Sequence, residues 1–114
     1  MHELSIVTSM IGIVRENMVR HEAGRLKKIK IRVGEMTAVE PEALRFCFEA
    51  CTGGTDMEGV ILDIEEVPVM GQCMNCKKAF QLNMYLDSGC AACGGKAGDY
   101  ISGTELDIVS IEVD

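Results

Sequence analysis

The sequence has no tryptophan, only three phenylalanines and two tyrosines, so aromatic residues make up 4% of its 114 positions. Apolar residues still reach 47%, which allows a core of aliphatic side chains with the eight methionines as adaptable filler. No apolar run reaches the roughly eighteen residues of a membrane span, and the opening Met-His-Glu lacks the positive region of a signal peptide. We therefore expect a cytoplasmic protein with no membrane association.

Positive charge is also scarce. Eleven Lys and Arg residues stand against eighteen Asp and Glu, which gives a formal net charge of −7 and a pI near 4.8. A chain of this charge repels phosphate backbones, so the composition argues against a nucleic-acid partner. A neutral or basic protein partner fits better.

Four of the six cysteines form two Cys-x-x-Cys hooks, Cys73 with Cys76 and Cys90 with Cys93, separated by thirteen residues. Each hook can present two thiolates to one side of a tight turn, and two hooks complete a tetrahedral four-sulfur shell with no open position. This pattern predicts a structural zinc site. The zinc would hold together a lobe of residues 69–101, which is too small to fold without a metal or disulfides.

Two alternatives fit the same four cysteines. Four thiolates also bind iron, as in a rubredoxin-like electron carrier, and two adjacent Cys-x-x-Cys pairs can cycle as dithiols. The spacer is also shorter than the roughly fifteen to twenty residues usual between zinc hooks. The remaining Cys47 and Cys51 are spaced i, i+4 on an apolar helix face and are predicted to be core thiols.

Hydrophobic periodicity predicts two helices and three strands. The helices cover residues 4–23 and 41–52, with Gly24 as the left-handed residue that ends the first helix. The strands cover 26–33, 59–67 and 106–113. In the third strand the alternation slips at Val109-Ser110, which requires a bulge or burial on both faces. In the first strand, Lys28, Lys30 and Arg32 are predicted to form the solvated face.

The predicted fold class is α+β: two helices packed on a three-stranded sheet, with a zinc-ribbon-like lobe inserted between the second and third strands. We assign residues 1–68 and 102–114 to the helix–sheet region and residues 69–101 to the lobe. Phe80, Leu82 and Leu86 are the expected small core of the lobe. The two connections, at 67–68 and 102–103, are candidate hinges.

The amino end offers a second set of metal donors. The Nδ1 atom of His2 and its own amide nitrogen can close a six-membered chelate ring, with the Met1 amine and the Glu3 amide in reach of the same ion. Such a nearly planar nitrogen set suits Ni(II) or Cu(II) rather than zinc. By itself the motif is weak, because a histidine at a chain end is more often solvated. His21, near the end of the first helix, is predicted to be solvated.

Taken together, motifs along the whole chain carry more information than either metal motif alone. They include the opening Met-His-Glu-Leu-Ser, Gly34-Glu35-Met36, the run from Val39 to Glu49, both cysteine hooks, and Gly103-Thr104-Glu105-Leu106. In this order and spacing, over essentially the full length, they resemble the HypA/HybF family of hydrogenase nickel-incorporation proteins.

The resemblance implies a nickel metallochaperone for maturation of [NiFe] hydrogenase, and in some organisms urease, rather than an enzyme. Its cargo would be Ni(II), bound by His2 with the backbone nitrogens of Met1 and Glu3. Structural Zn(II) would be held by the two hooks, at Cys73, Cys76, Cys90 and Cys93. The implied partners are a nickel-handling GTPase and the hydrogenase large subunit, with the chain itself a monomer or a homodimer.

The resemblance leaves the roles of two acidic residues open. Glu3 assists through its carboxylate or through its amide alone. Glu40 stands where relatives carry an acidic residue near the nickel, although here it is Glu rather than Asp, and it either reaches the metal or caps the second helix. Two other classes of function compete with nickel delivery: a zinc-ribbon interaction module without metal cargo, and a small electron carrier.

Overall fold

The computed structural model describes residues 3–82, 89–90 and 92–114, which form two α-helices, a short 3-10 helix and two three-stranded sheets. In chain order the elements are α1 (Glu3–Arg20), β1 (Leu26–Gly34), the 3-10 helix (Glu35–Thr37), α2 (Pro41–Thr52), β2 (Ile61–Val67), β3 (Met70–Cys73), β4 (Ala79–Gln81), β5 (Ala97–Ser102) and β6 (Leu106–Val113). The predicted α+β class is confirmed. The inserted lobe contains a sheet of its own, in the order β4–β3–β5.

β1 is the centre of the first sheet, whose order is β2–β1–β6. β2 runs parallel to β1 and is reached through α2, whereas β6 is antiparallel on the other side. Alternation along β1 buries Ile29, Ile31 and Val33, which are at most 3% exposed. They belong to one apolar core with residues of both helices, namely Val7, Met10, Val14, Leu44 and Phe48. The helical stripe and the strand alternation thus meet in a single core.

The other face of β1 carries the predicted charged residues. They lie near carboxylates of both flanking strands: Lys28 with Asp63 at 3.7 Å and Glu112 at 3.5 Å, Lys30 with Glu65 at 3.6 Å, and Arg32 with Asp107 at 3.4 Å. All of these side chains are at least 36% exposed, so each pair contributes little to stability. Their main consequence is that this face of the sheet stays in water.

The slip in the alternation of β6 is a bulge. Lys30 pairs with Ser110, whereas the next residue, Ile31, pairs with Ile108, so Val109 has no opposite residue. One extra residue on β6 returns Ile108 and Ile111 to the core side. Of the two expected solutions, the structure shows the bulge.

The end of α1 differs from the prediction. The left-handed residue after the helix is Glu22, with φ of 48°, rather than Gly24. The Ala23 N–H donates to the Met18 carbonyl at 2.9 Å, a hydrogen bond that closes the last turn of the helix as in a Schellman motif. Gly24 has another role, because a Cβ there would lie 3.0 Å from the Asp114 carbonyl oxygen.

The two sheets meet at a tightly packed backbone crossing. The Gly34 N–H donates to the Glu105 carbonyl at 2.6 Å and the Met36 N–H donates to the Gly103 carbonyl at 2.8 Å. A Cβ on Gly34 would lie 2.1 Å from the Gly103 carbonyl oxygen, so only glycine fits. Gly103 has φ of 111° and packs against the fully buried Val69. Hydrogen bonds therefore pin the segment that returns from the lobe.

Candidate metal centre

The first cysteine hook lies in the turn from β3 to β4. The Cys73 N–H donates to the Lys78 carbonyl at 2.9 Å, and the Lys77 N–H donates back to the Cys73 carbonyl at 3.1 Å. Lys77 is left-handed, with φ of 63°. These bonds curl the backbone so that Cys73 and Cys76 direct their sulfurs to the same side.

The second hook repeats this arrangement before β5. The Cys90 N–H donates to the Gly95 carbonyl at 2.8 Å and the Gly94 N–H donates to the Cys90 carbonyl at 2.7 Å. Here the left-handed position is a glycine, Gly94, with φ of 77°. The two hooks thus share one backbone pattern, although only the second uses glycine for its sharp bend.

The four cysteine sulfurs form one cluster. All four Sγ atoms lie within 4.8 Å of one another, with Cys73 and Cys93 at 3.3 Å and Cys76 and Cys90 at 3.7 Å. Sulfurs about 2.3 Å from a tetrahedral ion would lie about 3.8 Å apart, so the cluster has the dimensions for one ion. All four cysteines are free thiols, in keeping with ligation rather than a disulfide.

Backbone hydrogen bonds already favour the ionised form of part of the cluster. Those from Cys76 and Asn75 lower the pKa of the Cys73 thiol to about 6. Those from Cys93 and Ala92 lower the pKa of Cys90. Gly95 acts in the same way on Cys93, but the neighbouring Cys73 and burial outweigh it and raise the Cys93 pKa to about 11. A bound cation is what would allow all four sulfurs to be charged at once.

The clustered cysteines also form a large part of the core of the lobe. Its buried members are Cys73, Phe80 and Cys90, with Cys76, Leu82 and Ala97 packed against them. Phe80 and Leu82 are where the sequence placed them, and Leu86 lies outside the described residues. With so little apolar surface to bury, the lobe has the size and composition of a domain that needs a metal to fold.

The structure brings together the two acidic residues of the predicted nickel site. Glu3 opens α1, and Glu40 is the N-cap of α2, where its carboxylate accepts a hydrogen bond from the Glu42 N–H at 3.4 Å. The Glu40 N–H donates to Glu3 Oε2 at 3.3 Å. Met1 and His2 lie outside the described residues. No local pattern links Glu3 to Glu40, which are 37 positions apart; only the family resemblance put both near the nickel.

A cleft of about 790 Å³ lies next to this contact, between the helix–sheet region and the lobe. Its walls include Gly34, Glu40 and Glu66 on one side and Gln81 and Leu82 of the lobe on the other. Glu40 therefore borders both the start of α1 and the space between the two regions.

The other residues considered as metal ligands lie elsewhere. Cys47 and Cys51 are half-buried on α2 and pack against the apolar core, as expected of core thiols. His21 is exposed just after α1. Within the described part of the chain, neither helix combines the length and the hydropathy needed to cross a bilayer.

Comparison with known proteins identifies the family. A family model described as "Hydrogenase/urease nickel incorporation, metallochaperone, hypA" matches residues 1–113. The chain is 41% identical to the hydrogenase maturation factor HypA of Geotalea uraniireducens over all of both chains. It is 42% identical to that of Geotalea daltonii over 99% of each.

Solved structures agree with the sequence relatives. The solution structure of the Ni metallochaperone HypA from Helicobacter pylori matches with a TM-score of 0.63 and 27% identity, covering 99% of this chain and 97% of that one. A second solution structure of a HypA protein matches with a TM-score of 0.68 and 28% identity, covering 99% and 96%. The chain therefore belongs to the HypA family of hydrogenase maturation factors, which are nickel metallochaperones and not enzymes.

Proposed function

We propose that this chain binds Ni(II) at its amino end and delivers it during maturation of [NiFe] hydrogenase. The observation that carries the proposal is family membership over the whole chain, in a sequence that opens with Met1-His2-Glu3. The proposed donors are the imidazole of His2 and the backbone nitrogens of Met1 to Glu3. Such a nitrogen set favours the planar geometry that Ni(II) accepts and Zn(II) does not require.

Glu3 and Glu40 are the acidic residues of this proposed site. Supporting evidence is the hydrogen bond of 3.3 Å between the Glu40 N–H and Glu3 Oε2, which brings the start of α2 next to the start of α1. In the proposal Glu3 contributes its amide nitrogen. Glu40 is a further candidate donor, although its carboxylate already accepts a hydrogen bond from the Glu42 N–H at 3.4 Å.

We propose structural Zn(II) as the ion at Cys73, Cys76, Cys90 and Cys93. The sulfur cluster fits a tetrahedral ion, and a closed four-sulfur shell is typical of structural zinc. On this view residues 69–101 are a zinc-binding lobe, and residues 1–68 with 102–114 form the nickel-binding domain. The ion would supply the cohesion that the small lobe core lacks.

The proposed partners follow from the nickel-delivery role. They are a nickel-handling GTPase of hydrogenase maturation and the hydrogenase large subunit, with urease as a second destination. Four cysteines kept as thiols for a metal suit a reducing compartment, so we place the protein in the cytoplasm. The proposal is compatible with a monomer or a homodimer.

The nickel site is tested by titrating untagged protein with Ni(II). We expect stoichiometric binding by the wild type and its loss in His2→Ala, with unchanged zinc content and circular dichroism. His21→Ala is the matched control, since it removes the exposed histidine at the other end of α1. Nickel affinity retained in His2→Ala, or in protein extended before Met1, would rule out the amino-end site.

The rival functions have tests of their own. If the chain is an interaction module without cargo, nickel has no effect on its binding to the maturation GTPase. If the cluster holds iron, the purified protein is coloured and absorbs in the visible range, whereas a zinc protein is colourless. Metal analysis of the purified protein separates zinc, iron and an empty dithiol cluster.

A further inference from the structure

The amino end of α2 is capped in an unusual way. In a capping box the side chain at the N3 position, usually Glu or Gln, reaches back to accept a hydrogen bond from the backbone N–H of the N-cap residue. The N-cap of α2 is Glu40, and its N3 residue is Ala43, which cannot accept. The Glu40 N–H donates instead to Glu3 Oε2, at 3.3 Å, on a different helix.

We propose that the Glu3 carboxylate is a positioning residue: it completes the cap of α2 from α1 and so fixes the position of the Glu3 backbone at the start of α1. This inference rests on the proposed nickel function. Glu3 follows His2 directly, and its amide nitrogen is one of the proposed donors. A side chain tied to Glu40 fixes where that nitrogen lies.

The start of α2, to which Glu3 is hydrogen-bonded, is held in place by the apolar core. Pro41 follows Glu40 and presets the helical φ at the start of α2. Val7, one turn into α1, and Leu44, one turn into α2, are both fully buried in the same core. A second contact, Arg15 Nη2 to Asp56 Oδ1 at 2.7 Å, ties α1 to the loop after α2.

The arrangement has a direct consequence for metal affinity. A donor whose backbone is held in position before it binds loses less conformational entropy on binding, so the free energy of nickel binding is more favourable. The carboxylate also lies at the amino ends of two helices, where a negative charge is stabilised by the helix dipoles. If Glu3 were instead a carboxylate ligand, its charge and not its hydrogen bond would matter for nickel.

Two substitutions separate these roles. Glu3→Gln keeps a side-chain oxygen that can accept from the Glu40 N–H, whereas Glu3→Ala removes it. In untagged, zinc-loaded protein we expect Ni(II) affinity to fall about five- to tenfold in Glu3→Ala, the effect of one lost capping bond, and to stay within about threefold of the wild type in Glu3→Gln. Glu16→Ala, an exposed carboxylate on the same helix, is the matched control and should leave affinity unchanged.

A second readout needs no nickel. The amide resonance of Glu40 in nickel-free, zinc-loaded samples should move, and its hydrogen exchange should accelerate, in Glu3→Ala but not in Glu3→Gln or Glu16→Ala. Supporting results are a shifted Glu40 amide and weaker nickel binding in Glu3→Ala, both restored by Gln.

Three other outcomes would contradict the positioning role of Glu3. Glu3→Gln binding nickel as weakly as Glu3→Ala, with its Glu40 amide unmoved, would make the carboxylate a ligand and overturn the positioning role while nickel delivery stands. Wild-type affinity in Glu3→Ala would overturn it too. Absence of nickel binding by the wild type would remove the proposed function, and the positioning role with it.

Discussion

The helix–sheet region and the lobe each contain a three-stranded sheet, but different forces hold them together. In the first, Val7, Ile29 and Leu44 are fully buried, and they come from three separate elements whose apolar faces meet. In the second, the buried residues are Cys73, Phe80 and Cys90, two of which are metal-ligand candidates. Burial of apolar surface stabilises one region, whereas the other has a sulfur cluster arranged to be stabilised by bonds to an ion.

The two regions should therefore unfold separately and for different reasons. The lobe has strands of three, four and six residues, too short and too polar to make a core without the sulfur cluster. The helix–sheet region has an 18-residue helix and a nine-residue central strand. A substitution in one region should leave the other intact, whereas a substitution at the crossing between them can affect both.

The largest effect is expected from removing the metal site. Cys90→Ser should unfold the lobe, because structural zinc contributes roughly 10 to 16 kcal/mol in small zinc peptides. In an amide NMR spectrum the lobe signals should collapse while those of α1 and α2 persist. Cys47→Ser is the matched control, since Cys47 packs against the other core, and it should keep full zinc content. An unchanged lobe spectrum in Cys90→Ser would contradict the comparison.

The reverse perturbation should act on the helix–sheet region. Phe48 is 1% exposed in the apolar core, so Phe48→Ala should lower the free energy of unfolding by about 3 to 5 kcal/mol. Urea denaturation followed by helical circular dichroism measures the loss. Zinc content should not change, and loss of zinc from the still-folded variant would show that the regions are not independent.

An intermediate effect is expected at the crossing between the sheets. Gly34→Ala places a Cβ 2.1 Å from the Gly103 carbonyl oxygen, which forces the backbones apart and should destabilise by about 1 to 3 kcal/mol. Gly12→Ala is the control, because a Cβ there meets nothing within 4 Å; in a helix it should stabilise by about 0.5 to 1 kcal/mol. Equal effects of the two substitutions on the urea midpoint would mean that the crossing is not tight in solution.

The smallest expected effect is on the pH dependence of stability. Hydrogen bonds from the Glu105 and Gly103 backbone N–H groups hold the pKa of the Glu105 carboxyl below its ordinary value. A lowered folded-state pKa adds stability above the unfolded-state pKa, and this is lost as the pH falls through the folded-state value. Wild type should therefore be more stable than Glu105→Gln at neutral pH, and the difference should shrink in acid. A difference independent of pH would assign the role of Glu105 to its shape rather than its charge.

Much of the fold could be predicted because the patterns are local. The apolar stripe of α1, the alternation of β1 and the slip at Val109 each follow the repeat of a helix or a strand, which backbone geometry sets over a few residues. Even so, the end of α1 was misplaced: Gly24 was the expected left-handed residue, and Glu22 adopts that conformation. A Schellman closure onto Met18 was sufficient to overcome the intrinsic preference for glycine.

The candidate sites also differ in whether a local pattern predicts them. The two Cys-x-x-Cys spacings were enough to predict one four-sulfur cluster, since each hook is a local turn. The contact of Glu3 with Glu40 was not predictable, because it depends on how two helices pack across 37 residues. Nor did any motif show that Gly34 lies against Gly103.

The elements, the four cysteines as candidate metal ligands and the resemblance to a nickel-handling family can all be read from the sequence alone, because periodicity and spacing act over a few residues. Only the tertiary structure decided that the start of α1 caps α2, that a second sheet forms around the sulfurs, and that two glycines join the sheets. Those features come from packing between distant segments, where close approach and hydrogen-bond geometry select partners that no local pattern specifies.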